Sequence, residues 1–180
     1  MAIKGGRPND RQVAAHLFLL NPAKAIEFYK AALGAEVRYV SQMPGGPVMH
    51  AHLRIGDSTV LLSREHPEME NTLVDATHRG IRLKAPESSG ATGVVLELYV
   101  PDVEAVFAKA VAAGAEVRIP IQRTFFGDRY GQLTDPFGHV WGLATVEEEI
   151  APEEVAGRMM KMSPRFAQKH AQAAIRIAAP

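Results

Sequence analysis

Hydrophobic side chains recur every three or four residues in two separate stretches of the chain, and this spacing predicts two amphipathic helices. The stripes are formed by Ile26, Tyr29, Ala32 and Leu33 in the first stretch, and by Val103, Val106, Phe107 and Ala110 in the second. Asn21 and Asp102 suit the capping positions before these helices, because a short polar side chain accepts hydrogen bonds from free backbone N–H groups. Gly34 and Gly114 follow the last apolar residues and predict where the helices end.

The same order of elements occurs twice along the chain. The pentapeptide GAEVR stands at residues 34–38 and again at 114–118, and an apolar run precedes each helix. β-rich segments follow each copy, with turns predicted at Gly56-Asp57 and at Asp135–Gly138. Each half thus reads strand, helix, strand, strand, turn, strand, which predicts an α+β fold of two tandem βαβββ modules. A single four-stranded module would leave one sheet face and its edges exposed, so we expect the modules to pair around a cavity as one curved mixed sheet.

Composition changes along the chain divide it into five segments. We assign residues 1–12 to an N-terminal arm, 13–64 to the first module, 65–92 to a spacer, 93–146 to the second module and 147–180 to a C-terminal helical extension. The spacer is rich in Pro, Gly, Ser and charged residues, which predicts a loop. In the extension we expect two helices, the second beginning at Ser163 and Pro164.

Charge and composition argue against several classes of function. Lys plus Arg and Asp plus Glu both number 20, so the formal net charge is zero, whereas binding to nucleic acid or to an anionic membrane needs excess positive charge. The chain holds no cysteine, which excludes disulfides, thiolate metal sites and thiol nucleophiles. We find neither an apolar run long enough to span a bilayer nor the apolar core of a signal peptide, so we expect a cytoplasmic protein.

Two histidines in the segment VMHAHLRIG are candidates for binding. His50 and His52 alternate with apolar residues and therefore share one strand face with Arg54. This face is either a polar patch in the cavity, suited to an anionic or metal-bound ligand, or a solvated or dimer-forming sheet surface. A His-x-His pair is also a weak metal signal, and His16 on the first predicted strand is the natural third donor.

The loop FFGDRYG supplies the other candidates. Phe125, Phe126 and Tyr130 offer aromatic surface, and Arg129 suits a bidentate contact with a carboxylate or a phosphate. The alternative for Arg129 is a structural ion pair that fixes the loop. For Trp141 we expect core packing. The sequence contains no nucleophile elbow, Walker loop or dinucleotide-binding glycine motif, so the residues alone name no catalytic group.

Several longer segments resemble one known family. AIEFYKAALGAEV, YVPDVEAVFAKAVAAGAEV and DPFGHVWGLAT, in this order on a duplicated βαβββ framework, resemble the vicinal oxygen chelate superfamily of glyoxalase I, bleomycin-resistance proteins and extradiol dioxygenases. VMHAHLRIGD, KAPESSGAT and FFGDRYGQLTDPFGHVWGLAT are similar to its PhnB-like branch. The resemblance covers residues 13–160 and implies sheets curved around a cavity, with a homodimer as the expected assembly.

The resemblance also implies a metal site, which this sequence does not match. Enzymes of the superfamily hold a divalent metal with four side chains, one from the first and one from the last strand of each module, typically His, Gln or Glu. The corresponding positions are Ala14 or Ala15, Leu62, Val95 and Gly142, none of which can bind a metal. His16, Ser63 and Glu97 stand next to them and would need a register shift, which would turn them to the opposite strand face.

The resemblance and this departure together predict a small-molecule binding protein of bleomycin-resistance or PhnB-like type. We expect it to hold an aromatic or anionic molecule without a cofactor, using His50, His52, Arg54, Phe125, Phe126, Arg129 and Tyr130. The alternative is a metal-dependent lyase, isomerase or dioxygenase whose divalent metal is held by non-standard ligands, namely His16, His50 and His52. A purely structural or partner-binding dimer is a third hypothesis.

Overall fold

The computed structural model describes residues 13–65 and 83–162, and within these ranges the chain forms eight β-strands and four helices. In chain order they are β1 (Ala15–Leu19), α1 (Pro22–Leu33), β2 (Glu36–Gln42), β3 (Val48–Ile55), β4 (Ser58–Arg64), α2 (Pro86–Ser89), β5 (Val95–Tyr99), α3 (Val103–Ala112), β6 (Glu116–Arg123), β7 (Asp128–Thr134), β8 (Val140–Val146) and α4 (Pro152–Met162). The predicted N-terminal arm, residues 66–82 of the spacer and the second tail helix from Ser163 lie outside the described residues. No helix in the described ranges is both long and apolar enough to cross a bilayer.

The strands form two four-stranded sheets of the same topology. The strand order is β1-β4-β3-β2 in the first sheet and β5-β8-β7-β6 in the second. In each sheet the first strand of the module runs parallel to the last, and the other neighbouring pairs are antiparallel. The predicted α+β fold of tandem βαβββ modules is thereby confirmed. Over the described residues the two sheets stay separate and do not close into one sheet around a shared cavity.

Local sequence sets the limits of both long helices. The side chain of Asn21 accepts a hydrogen bond from the backbone N–H of Lys24 at 3.2 Å, and that of Asp102 accepts one from Ala105 at 2.9 Å. Each cap satisfies a backbone donor that has no partner inside its helix. Gly34 has a φ of 66°, in the left-handed region, and ends α1 as predicted.

The apolar side of each sheet packs against the helix of its own module, and α1 and α3 pack against each other. The order of layers is therefore sheet, helix, helix, sheet. Strand β3 shows why: Ala51, Leu53 and Ile55 are buried, while the alternating His50 and His52 are only partly buried. Because successive side chains of a strand point to opposite sides, the apolar set forms the core and the polar set the outer surface.

The turn before β8 joins the two modules through a buried carboxylate. Oδ2 of Asp135 accepts hydrogen bonds from the hydroxyl of Tyr29 on α1, at 2.6 Å, and from the indole N–H of Trp141, at 3.1 Å. Its Oδ1 accepts the backbone N–H groups of Phe137 and His139, both at 2.9 Å. One side chain thus closes the turn and links the second module to the helix of the first. Trp141 is buried in the core, as expected.

Candidate functional site

Each sheet has a polar surface on the side away from the helices, and we call these surfaces the first and second open faces. The first open face carries His16, Phe18, Tyr39, His50, His52, Leu61 and Ser63, and the second carries Val95, Glu97, Tyr99, Asp128, Tyr130 and Gln132. Aromatic side chains remain exposed on both, with Tyr39 at 52% and Tyr99 at 61%. Exposed rings next to polar groups are typical of surfaces that bind a ligand or a partner.

Four side chains on the first open face form a continuous hydrogen-bonded series, which we call the histidine chain (His16, Ser63, His50 and His52). The hydroxyl of Ser63 lies 2.8 Å from Nε2 of His16 and 2.9 Å from Nδ1 of His50. The other ring nitrogen of His50, Nε2, lies 2.8 Å from Nε2 of His52. The histidine chain crosses β1, β4 and β3, because the register of these strands places the four residues side by side.

The surroundings of His16 weaken it as a base. Burial lowers the pKa of His16 below its ordinary value of 6.5, and the like charges of protonated His50 and His52 lower it further. The His16 ring also stacks on Phe18, with ring centroids 4.8 Å apart. At neutral pH, His16 is therefore a neutral hydrogen-bonding group beside an aromatic ring.

A second series, the glutamate chain (Glu97, Tyr130 and Gln132), lies on the second open face. The Tyr130 hydroxyl donates to Oε1 of Glu97 at 3.2 Å and accepts a hydrogen bond from the side-chain amide of Gln132 at 2.6 Å. Burial raises the pKa of Tyr130 above its ordinary value, Glu97 raises it as well, and the Gln132 hydrogen bond acts in the opposite direction. Nearby, the Tyr99 hydroxyl donates to Asp128 at 3.2 Å. Tyr130 is thus a neutral phenol at neutral pH.

The two chains occupy equivalent places in the two modules. His16 and Glu97 both lie on the first strand of a module, directly opposite Leu61 and Gly142 on the last strand. The offset here is 81 positions (16 to 97), not 80, because the segment from helix cap to helix-ending glycine is one residue longer in the first module. The other equivalent pairs are His50 with Tyr130 and His52 with Gln132.

The offset of 81 changes one of the positions implied by the family resemblance: Gly142 corresponds to Leu61 and not to Leu62, while Val95 still corresponds to Ala14. Leu62 is fully buried on the helix side, so the residue of β4 on the open face is Leu61 or Ser63. On β1 and β5 the open faces carry the donor residues His16 and Glu97 beside the apolar Phe18 and Val95, and on β8 the residue opposite Glu97 is Gly142. A Cβ atom on Gly142 would overlap the carboxylate of Glu97, so this side chain lies directly over the glycine.

The three histidines do not converge on one point. His50 directs Nδ1 toward Ser63, which also contacts His16, and directs Nε2 toward His52. His16 and His52 are therefore linked to opposite nitrogens of the same ring. Across residues 13–65 and 83–162, no group of three or more His, Asp or Glu side chains is arranged to hold a metal ion.

The other predicted binding residues lie on different surfaces. Arg129 lies on the helix side of β7, where its guanidinium pairs with Glu104 of α3. Arg54 is exposed and donates from Nε to a carbonyl of the β3–β4 turn at 2.9 Å. Phe125 and Phe126 form the turn before β7, with ring centroids 5.1 Å apart.

The structure thus brings His50 and His52 together with His16 and places Tyr130 on the other open face. Three members of the two chains were not predicted as site residues, namely Ser63, Glu97 and Gln132. The signal that identifies them is alternation, since Ser63 follows the apolar Leu62 on its strand and so belongs to the opposite side.

Comparison with known proteins agrees with this architecture. A family model described as the Glyoxalase/Bleomycin resistance protein/Dioxygenase superfamily matches residues 13–143. An uncharacterized protein of Mycobacterium bovis is 36% identical over 147 residues, which cover 82% of this chain and 91% of that protein. Protein YjdN of Escherichia coli is 24% identical over 152 residues, which cover 73% of this chain and 92% of YjdN.

Solved structures show the same fold. TioX from Micromonospora sp. ML1 matches with a TM-score of 0.59 at 22% identity, covering 76% of this chain and 98% of TioX. At this level of identity the similarity shows the fold alone, whereas the family match spans both modules. The chain belongs to the glyoxalase/bleomycin resistance protein/dioxygenase superfamily.

Proposed function

We propose that the protein binds a small aromatic molecule on its open faces and does not use the metal chemistry of its superfamily. The observation that carries this proposal is the pair of equivalent hydrogen-bonded chains, one on each open face. Binding sites for small molecules combine apolar or aromatic surface with a few placed polar groups. Phe18 and Tyr39 provide the rings beside the histidine chain, and Tyr99 provides one near the glutamate chain.

The charges favour an aromatic ligand with hydrogen-bonding groups over an anion. Arg129, the predicted anion clamp, is engaged with Glu104 on the helix side. The second open face carries the carboxylates of Glu97 and Asp128, which repel an anion. The imidazoles and the Ser63 hydroxyl of the first open face can each donate or accept a hydrogen bond. We therefore propose a flat ligand with a phenolic or heteroaromatic group.

The donor set at the implied metal positions supports binding without that metal. The implied positions Ala14, Leu61, Val95 and Gly142 carry no donor atoms. His16 on β1 and Glu97 on β5 do carry them, but Leu61 and Gly142, the residues opposite them, do not. A four-ligand site of the family type needs a donor at each position.

Metal content tests this part directly. We would measure divalent metal by plasma mass spectrometry on untagged protein purified without chelator, because a histidine tag binds metal itself. We expect far less than one ion per chain, unchanged after incubation with zinc, nickel, manganese or iron. One retained ion per chain would contradict the proposal and favour the lyase, isomerase or dioxygenase alternative, with His16, His50 and His52 as the first ligands to replace.

We further propose a homodimer in which the first open face of one copy covers the second open face of the other. Within residues 13–65 and 83–162 the helix layers are packed against each other and leave both open faces uncovered, so these faces are available to a second copy. Exposed Tyr39, Val95 and Tyr99 favour such covering. When protonated, the imidazoles of the first open face are positively charged and complement the negative carboxylates of the second open face. A symmetric pair would then contain two equivalent sites.

A thermal-shift screen of aromatic compounds tests binding. A ligand at a hundred times its Kd should add about 2.7 kcal/mol to the free energy of unfolding. We expect His50→Gln and Tyr130→Phe, one change on each open face, to weaken binding at least about tenfold, since each removes a polar contact. Lys30→Gln, at an exposed position of α1, is the control and should bind normally. Equal binding by all three variants would contradict a site on the open faces.

Mixing the two variants tests the shared site. After joint unfolding and refolding, half of the dimers contain one chain of each kind, and in these dimers one of the two sites has both faces intact. Roughly a quarter of all sites should then bind with normal affinity. If the two open faces of one chain form the site together, mixing the variants restores no ligand binding.

A further inference from the structure

The hydroxyl of Ser63 is held between two imidazoles, an arrangement that simple ligand binding does not require. Its oxygen lies 2.8 Å from Nε2 of His16 and 2.9 Å from Nδ1 of His50. The His50 ring in turn contacts His52 through its second nitrogen. A hydroxyl next to a base, with the base oriented by a third group, is the arrangement that activates a serine as a nucleophile.

The hydrogen atoms of the histidine chain can be assigned in two ways that satisfy every hydrogen bond in it. If His50 donates from Nε2 to His52, its Nδ1 is unprotonated and accepts the Ser63 hydroxyl hydrogen, and His16 donates to the Ser63 oxygen. If His52 donates to Nε2 of His50, then Nδ1 of His50 carries the hydrogen, and the Ser63 hydroxyl donates to His16. In both solutions an imidazole nitrogen accepts the Ser63 proton while a second imidazole N–H stabilises its oxygen.

We propose that Ser63 is a covalent nucleophile toward small, activated aryl esters, with His50 or His16 as its general base. The Ser63 oxygen attacks the carbonyl carbon, and its proton passes to the imidazole nitrogen. The bond from that carbon to the leaving oxygen breaks, and the leaving alcohol takes the proton. Water then hydrolyses the acyl–Ser63 ester, which releases the carboxylic acid and restores the hydroxyl. The inference does not depend on the proposed ligand or on the dimer.

The surroundings of Ser63 indicate its substrate and its rate. The His16–Phe18 stack lies beside the hydroxyl and offers a flat surface for an aryl group. Ser63 is flanked by Phe18 of β1 and His50 of β3, so the backbone here takes part in sheet pairing on both sides. Acyl transfer is fast when preorganised backbone N–H groups stabilise the oxyanion, and N–H groups engaged in sheet pairing do not serve in this way. We therefore expect slow turnover, with the acyl form accumulating.

Acylation of the 180-residue chain by p-nitrophenyl acetate tests the proposal. We expect a burst of p-nitrophenolate of about one equivalent per chain, with the acetyl group on Ser63 in peptide mass spectra, because deacylation is slower than acylation. Ser63→Ala should abolish the burst, and the double variant His16→Gln, His50→Gln should slow it about a hundredfold. Ser58→Ala, on the same strand but hydrogen-bonded to Asp57 at 3.0 Å, is the matched control. Acetyl groups only on lysines or histidines would overturn the proposal.

A cysteine substitution gives an independent reading that survives slow acylation. The chain contains no cysteine, so Ser63→Cys and the control Ser58→Cys each introduce a single thiol. Imidazole partners lower a thiol pKa from about 8.5 toward 7 or below, because the thiolate pairs with the imidazolium. We expect iodoacetamide to modify Ser63→Cys with a midpoint at least about one pH unit below that of the control. Equal midpoints in the two correctly folded variants would overturn the proposal.

Discussion

His139 illustrates how the fold sets the charge state of a single residue. Its ring is buried beside the turn before β8, where Nε2 donates to the carbonyl oxygen of Phe18 at 3.2 Å. Burial lowers the pKa of His139 below the ordinary value of 6.5, and the charge of Asp135, the hydrogen bond to Phe18 and the charge of Glu87 offset only part of this. The folded protein therefore prefers the neutral ring.

Acid should destabilise the protein through His139. A histidine whose folded pKa is depressed stabilises the fold fully above its unfolded pKa, and this contribution is lost as the pH falls through the folded value. We expect the free energy of unfolding to decrease below about pH 6.5, and to decrease less in His139→Gln. Urea unfolding between pH 5 and pH 7.5 measures both curves. His16, whose pKa is also lowered, is present in both proteins and cancels in the difference. Parallel curves would show that His139 is not the titrating group.

At the scale of elements, the contact between α3 and the second sheet depends on a residue without a side chain. Gly131 lies in the middle of β7 on the helix side. A Cβ atom there would stand 2.7 Å from Cε2 of Phe107 and 3.1 Å from both the carbonyl oxygen of Ile119 and Cγ1 of Ile121. Close packing leaves no space for it, so the glycine sets how near the helix approaches the sheet.

Gly131→Ala should therefore destabilise the fold. Overpacking a filled core typically costs about 1–3 kcal/mol. Gly93→Ala is the matched control, because a Cβ atom at that position meets nothing within 4 Å. Urea unfolding followed by tryptophan fluorescence compares the two variants with the parent. Equal midpoints for both variants would mean that α3 can shift away from β7 at no cost.

At the scale of the whole molecule, the two modules share one core. Buried residues of both modules form a single cluster, and the hydrogen bond from Tyr29 to Asp135 joins α1 to the turn before β8. Burial raises the pKa of Tyr29 well above its ordinary value, and Asp135 raises it further, so the phenol stays a donor at all working pH values. A hydrogen bond to a charged group contributes about 1.5–3 kcal/mol.

The protein should therefore unfold in one cooperative transition. Trp141 is the only tryptophan, and its ring centroid lies 5.5 Å from that of Tyr29. Its fluorescence therefore reports the contact between the two modules. We expect the fluorescence and far-UV circular dichroism midpoints to coincide. Tyr29→Phe should lower both midpoints equally, with a loss of about 1.5–3 kcal/mol in the free energy of unfolding. Tyr39→Phe, at a half-exposed position, should leave both unchanged. Separate midpoints for the two signals would show that the modules unfold independently.

The residues that carry local signals could be predicted from the sequence alone. Asn21 and Asp102 cap their helices and Gly34 ends one, because capping and left-handed backbone depend on neighbours only a few positions away. The pairing of His50 with His52 on one strand face also follows from alternation. The equivalence of His16 with Glu97 does not, since one extra residue between the helix cap and its closing glycine shifts the repeat.

By itself the sequence determined the elements, their duplication and the alternation of polar and apolar residues along β3, because all of these depend on short-range periodicity. Only the tertiary structure decided that the helices lie between the sheets, that Arg129 is engaged by Glu104, and that Ser63 lies between His16 and His50. The hydrogen bonds of Arg129 and Ser63 join residues from 13 to 47 positions apart along the chain. Side chains so far apart meet only after strand register and helix packing are fixed, and local pattern sets neither.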